Sequence, residues 1–139
     1  MTMTRRNLVR LIGLLPLARA TAVLAGPKGG AAAGPVEIRL EDRPGGSGAF
    51  VPSALTIAAG STVRWVSRGF LLHTVTFDPA QAKDHSRIAL PPGVAPFGSD
   101  DLAQDDTYEH RFDVPGTYRY ICHYHERMGM GGTITVVGK

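Results

Sequence analysis

Polar and apolar residues alternate along this chain in short runs, separated by glycine, proline and acidic turns. Val36, Ile38 and Leu40 alternate with Glu37 and Arg39, which predicts a strand with one face inward. A turn-rich connection is expected over Glu41–Gly48. Leu55 and Ile57 flank Thr56, Gly60 and Ser61 interrupt the run, and Thr62–Ser67 resumes it with Val63 and Trp65 on one face. Trp65 reads as a core aromatic. His73, Val75 and Phe77 share one face of a further predicted strand, with Thr74, Thr76 and Asp78 on the other. After Asp78 the alternation stops. Pro79–Arg87 has room for a short helix, Ile88–Pro96 holds three prolines and a glycine and must be irregular, and Gly98–Asp106 is an acidic loop. Tyr108–Val114 is the next strand, and Pro115–Gly116 is expected to return it as a hairpin into a strand whose Tyr118, Tyr120 and Cys122 face inward. Thr133–Val137 is a last, β-branched strand. Short strands, frequent turns and the lack of a long amphipathic pattern predict an all-β sandwich beginning at Val36.

The first 25 residues carry a different pattern. Arg5, Arg6 and Arg10 precede the apolar run Leu11–Ala18, and small residues lead to Ala25, the arrangement of an export signal peptide. The paired arginines followed by Leu8 resemble a twin-arginine signal; an ordinary secretory signal is the other reading, and both place the mature protein outside the cytoplasm, in the periplasm or on the outer face of the cell membrane. Pro16 and Arg19 cut the run short of the ~20 apolar residues of a membrane span, so no stable insertion is expected after cleavage. Residues 26–35 are rich in glycine and alanine and read as a linker, leaving 36–139 as the folded domain. The formal charge of +3 belongs to the signal: residues 1–25 hold four of 15 basic residues and no acid, which leaves 11 against 12 and a net charge of −1 for the rest. That balance removes the electrostatic footprint of a nucleic-acid binder.

Chemistry concentrates between Cys122 and Met130, which hold the only cysteine, His123, His125, Met128 and Met130. Thiolate, imidazole and thioether are the donors copper prefers, and Gly129, Gly131 and Gly132 give the loop backbone freedom. A lone cysteine in an exported protein cannot form an intramolecular disulfide, and a metal thiolate explains its presence. His73, on the inward face of its predicted strand, can supply a second imidazole. His85 and His110 read as surface residues, and His123, next to Cys122, leaves on the opposite face. The acidic loop lacks the alternating ligands and terminal glutamate of a calcium loop. A Cys122–His125 hydrolytic dyad lacks a recognisable oxyanion loop.

Two histidines, a cysteine and a weak axial methionine compose the trigonal blue-copper electron-transfer site. On these residues the sequence resembles the cupredoxins, in particular the plastocyanin, pseudoazurin and halocyanin group, whose ligand loop reads cysteine, two residues, histidine, four residues, methionine. Cys122, His125 and Met130 match that spacing, and the upstream ligand of the family falls on His73. Val51–Trp65 and Phe112–Cys122 are similar to strands of the same family, so the resemblance runs from about Val36 to Val137. It implies a Greek-key β-sandwich of the cupredoxin type binding one type 1 copper ion through His73, Cys122, His125 and Met130. Met128 would instead fit the shorter loop of amicyanin-like members.

The function implied is a small soluble, monomeric electron carrier and not an enzyme, docking redox protein partners at an apolar patch near His125 and Met128. A copper chaperone or storage protein would use the same ligands, and an exported binding module without metal is a third class. Two positions depart from the family. Thr74 stands where many members have an asparagine that ties the ligand segments together, and Ile121 stands where plastocyanins place a tyrosine before the cysteine. The second departure counts against a remote acidic electron route.

Overall fold

The computed structural model describes residues 33–139. The expected signal (1–25) and most of the linker (26–35) lie outside the described residues. Seven strands form two sheets: β1 (Val36–Arg43), β2 (Ser47–Val51), β3 (Ala54–Ala58), β4 (Ser61–Ser67), β5 (Thr107–Phe112), β6 (Gly116–Ile121) and β7 (Gly131–Val137). One sheet has the order β2-β1-β4-β5 and the other β3-β7-β6. The pairs β1·β4 and β3·β7 are parallel and the remainder antiparallel, the crossed connectivity of a Greek-key sandwich. Among the described residues helical structure is confined to 3₁₀ turns, and no helix is long and apolar enough to cross a membrane.

Period-two patterning builds the core. Ile38 and Leu40 from β1, Val63 and Trp65 from β4, Phe112 from β5, Tyr118 and Tyr120 from β6 and Ile134 and Val136 from β7 are all buried between the sheets. Each large apolar side chain buried there contributes roughly 1.5–3 kcal/mol. Trp65 is enclosed, and its indole N–H donates to the Tyr120 hydroxyl at 3.2 Å, pinning one sheet to the other. On the outer face Arg64 pairs with Glu109 directly across the β4–β5 ladder, an exposed pair that contributes less than about 1 kcal/mol.

Four expectations are corrected. The connection after Leu40 does not turn at once: β1 runs on to Arg43, and β2 begins at Ser47, because Gly45 and Gly46, with φ of 79° and 73°, concentrate the reversal at its tip. Pro115–Gly116 does not make a hairpin. β5 pairs with β4 and β6 with β7, so this corner carries the chain between sheets, with Gly116 at φ 141° against Pro91. His73–Phe77 is not a regular strand. All five residues are buried, and the segment is held by isolated bridges to Leu102, Gly98 and Ile121. The short helix resolves into two 3₁₀ turns, Pro79–Gln81 and His85–Arg87, capped by Asp78 and Asp84.

Candidate metal centre

Two segments meet at one end of the sandwich. The first contains His73, whose backbone exchanges both hydrogen bonds with Leu102 (3.1 and 2.8 Å). The second is the loop between β6 and β7. It is closed by its own backbone: His125 N–H donates to Cys122 O (3.2 Å), Met128 and Met130 N–H donate to His125 O (3.0 and 3.2 Å), and Cys122 N–H donates to Met130 O (3.1 Å). Glu126–Met128 makes a 3₁₀ turn that ends at Gly129, whose φ of 86° reverses the chain toward β7. The segments are stitched by reciprocal bonds between Thr76 and Ile121 (2.9 and 3.1 Å). Thr74 adds two more links: its hydroxyl accepts from His123 N–H at 2.8 Å, and its own N–H points at Cys122 Sγ at 3.4 Å. Threonine thus ties the two ligand segments together at the position where the resemblance leads one to expect asparagine.

These constraints bring three predicted ligands together. The donor atoms of His73, Cys122 and His125 all lie within 4.8 Å of one another. Cys122 Sγ is 3.9 Å from His73 Nδ1 and 3.4 Å from His125 Nδ1, so both imidazoles turn the same nitrogen toward the sulfur. His73 and Cys122 are fully buried, while His125 keeps 8 % exposure. Met130 is buried too, with its sulfur beside His73: a Cβ placed on Gly48 would stand 2.6 Å from both Met130 Sδ and His73 Cε1. Met128, 58 % exposed, lies on the surface. Burial opposes ionisation of the Cys122 thiol, but hydrogen bonds from His73, Thr74 N–H and His125 outweigh it and bring its pKa down to about 6. A thiolate ready to bind metal is the result.

Two carboxylates that sequence reasoning missed hold the imidazole segments from behind. Asp42, on β1, accepts from His73 Nε2 at 3.0 Å and from the backbone N–H groups of Phe70 (2.7 Å) and Leu71 (3.3 Å). Burial opposes its ionisation, but those bonds prevail and keep the carboxyl below its ordinary range. Glu126, buried, accepts from Lys83 and Asp84 N–H at 2.8 and 2.9 Å, while Arg87 donates to its carbonyl. The loop is thereby anchored to the 3₁₀ turns. A charged residue directly after His125 in a short glycine-rich loop was a readable signal for Glu126. Asp42 had no local signal, since its partner stands 31 positions away.

The remaining histidines separate. His85 is exposed, and His123 is exposed with Nδ1 2.9 Å from Gln81 O. His110 is not the surface residue expected: it is half-buried, stacked on Phe97 with ring centroids 3.7 Å apart, and burial lowers its pKa.

Residues 40–137 match the profile of a family described as copper binding proteins, plastocyanin/azurin family. The chain belongs to this family. A plastocyanin from Scenedesmus fuscus is 37 % identical over 95 residues, covering 63 % of this chain and 85 % of the relative. A plastocyanin from Vicia faba is 33 % identical over 106 residues, covering 73 % and 99 %. Among solved structures, a purple cupredoxin from Nitrosopumilus maritimus superposes with a TM-score of 0.56 at 26 % identity, covering 73 % of this chain and 99 % of the other. The cofactor of this cupredoxin is a single copper ion, and the clustered donors suit it. A thiolate and two imidazoles converge with a thioether beside them, and the carboxylate in contact with them, Asp42, is occupied by the outer nitrogen of His73 and two backbone N–H groups.

Proposed function

We propose that this cupredoxin is a small electron carrier whose His73, Cys122 and His125 would hold copper in a type 1 site, with Met130 as the weak fourth donor. The observation that carries this reading is the buried gathering of three donor atoms within 4.8 Å, each fixed by bonds from its surroundings. Copper held there supplies reversible one-electron exchange between Cu(I) and Cu(II). The protein's part is to prevent movement: His73 is pinned by Asp42 and Leu102, Cys122 by Thr74 and Met130, and His125 by the loop backbone and Glu126. Donors that cannot move leave little to reorganise when charge changes.

His125 is the predicted ligand with residual exposure, and the exposed apolar residues Tyr124 and Met128 flank it in the loop. This favours the His125 edge as the electron port, met by the apolar surface of a redox protein partner. Ile121 offers no second port, since it is buried against Ala82 and Ile88. The N-terminal pattern supports export, with residues 1–25 as signal, 26–35 as linker, and the mature monomer working in the periplasm or on the outer face of the membrane.

Repeated reduction and oxidation in the presence of a moderate chelator tests the reading against a chaperone or storage protein. The carrier keeps its copper through many cycles, and Met128→Lys slows electron self-exchange at least tenfold with the spectrum intact, because a charge must be desolvated at each encounter. Ready transfer of Cu(I) to an acceptor, with no rate effect at Met128, would establish the chaperone instead.

The assignment of Met130 as the weak donor has its own check. Met130→Gln should lower and Met130→Leu should raise the reduction potential, each by at least about 59 mV, a tenfold change in the Cu(II)/Cu(I) equilibrium. Met128→Leu should leave the potential and spectrum unchanged, and the opposite pattern would transfer the role to Met128.

A further inference from the structure

The β1–β2 hairpin contributes no copper ligand, yet its register places two residues against His73. Asp42 pairs directly with Gly48. Gly48 lies where a Cβ would strike His73 Cε1, and Asp42 Oδ1 stands 3.0 Å from the ring's other nitrogen, Nε2. The other carboxylate oxygen is not free to wander. Asp42 Oδ2 accepts from Phe70 N–H and Leu71 N–H, and the carboxyl fills the space a side chain at position 69 would need, 1.9 Å from where the Cβ of a non-glycine residue would stand. Gly69 therefore has to be glycine for the carboxylate to sit where it does. A charged group held by two backbone N–H donors and packed into a backbone gap can only be met by a ring that donates. His73 must therefore carry a proton on Nε2, which leaves Nδ1, the nitrogen facing Cys122 Sγ at 3.9 Å, as the one that can give its lone pair to the metal.

We propose that Asp42 is a positioning residue for copper: its carboxylate holds the proton of His73 on Nε2 with Nδ1 aimed at the site, and by polarising that N–H makes the imidazole a stronger donor, which favours the oxidised ion. The inference rests on the type 1 reading of His73, and it names a lever on the reduction potential that comes from a strand remote in sequence from every ligand. The chemistry is general, since a carboxylate on the far nitrogen of a ligating histidine both orients the ring and raises its basicity. The enclosure matters as well. His73 itself is fully buried, so the carboxylate is the group that meets its outer nitrogen.

The test compares full-length copper-loaded protein with Asp42→Asn, which is nearly isosteric and uncharged, and Asp42→Glu, which keeps the charge. Asp42→Asn should weaken Cu(II) binding about tenfold to a hundredfold with a smaller effect on Cu(I), so that the Cu(II)/Cu(I) equilibrium moves at least about tenfold toward Cu(I). Asp42→Glu should recover part of that shift. Unchanged potential and Cu(II) affinity in Asp42→Asn, with only a lower unfolding temperature, would reduce Asp42 to a clasp on the Phe70–Leu71 turn and overturn the proposal. Nitrogen-15 NMR of the metal-free wild type is independent of whether the variants fold. It should show a proton on His73 Nε2 with slowed exchange, and an unprotonated Nε2 would overturn the proposal outright. The two readings fail separately: a wild type without a copper-thiolate spectrum defeats the type 1 site, whereas a normal spectrum with the wrong tautomer defeats only the role of Asp42.

Discussion

Copper-loaded protein carrying Cys122→Ala is expected to be colourless. The intense visible absorption of a type 1 site arises from the copper-thiolate bond, and Cys122 is the only cysteine in the chain, so no second thiolate can substitute. The change removes the one anionic donor and leaves two imidazoles and a thioether, which should weaken copper binding by orders of magnitude. Folding should survive. The loop is closed through backbone atoms of Cys122 that alanine retains, and the loss of one buried sulfur should cost on the order of 1 kcal/mol. Visible spectra recorded with equilibrium dialysis of copper, alongside a thermal melt, separate these effects. An intense band persisting in a folded variant would show that the colour, and the thiolate role, reside elsewhere.

A single methyl group at position 48 should be nearly as damaging. The added Cβ of Gly48→Ala would stand 2.6 Å from both Met130 Sδ and His73 Cε1. The Met130 side chain can bend away, but His73 cannot, because Asp42 and Leu102 hold it from the other side. Overpacking of this kind costs ~1–3 kcal/mol, and here part of the cost falls on ligand geometry. The expectation is a lowered melting temperature together with at least tenfold weaker copper binding. Gly138→Ala, with nothing within 4 Å of its new Cβ, is the control and should change neither. A Gly48→Ala protein with normal stability and spectrum would mean that β2 does not press on the site.

The pattern of the chain carried the sandwich wherever one strand face meets the core and the other meets water. Ile38 and Leu40, Val63 and Trp65, and Tyr118, Tyr120 and Cys122 could be read because alternation records that asymmetry. Where both faces are covered the record vanishes: Thr74 and Thr76 are buried like their apolar neighbours, held by His123, Ile121 and each other rather than by a sheet. Proline and glycine at 115–116 announce a reversal but not a destination, and the destination is decided by which sheet has room for β6. The loop from Cys122 to Met130 was legible because its donors lie within one turn of chain. The supports of the site were not, because Asp42 reaches His73 from 31 positions away and Lys83–Asp84 reach Glu126 from more than 40, and spacing says nothing about contacts of that range.

The two loop methionines also differ in what an oxidant can reach. Met128 presents its thioether to solvent at 58 % exposure, while Met130 is 1 % exposed beneath β2. Peroxide therefore meets Met128 first and converts it to the sulfoxide, a polar and chiral group set in the apolar surface beside His125. The inner sulfur is spared. Mild oxidative damage to this protein would leave the copper site intact while making its surface less welcoming to partners, a lesion that methionine sulfoxide reduction can reverse.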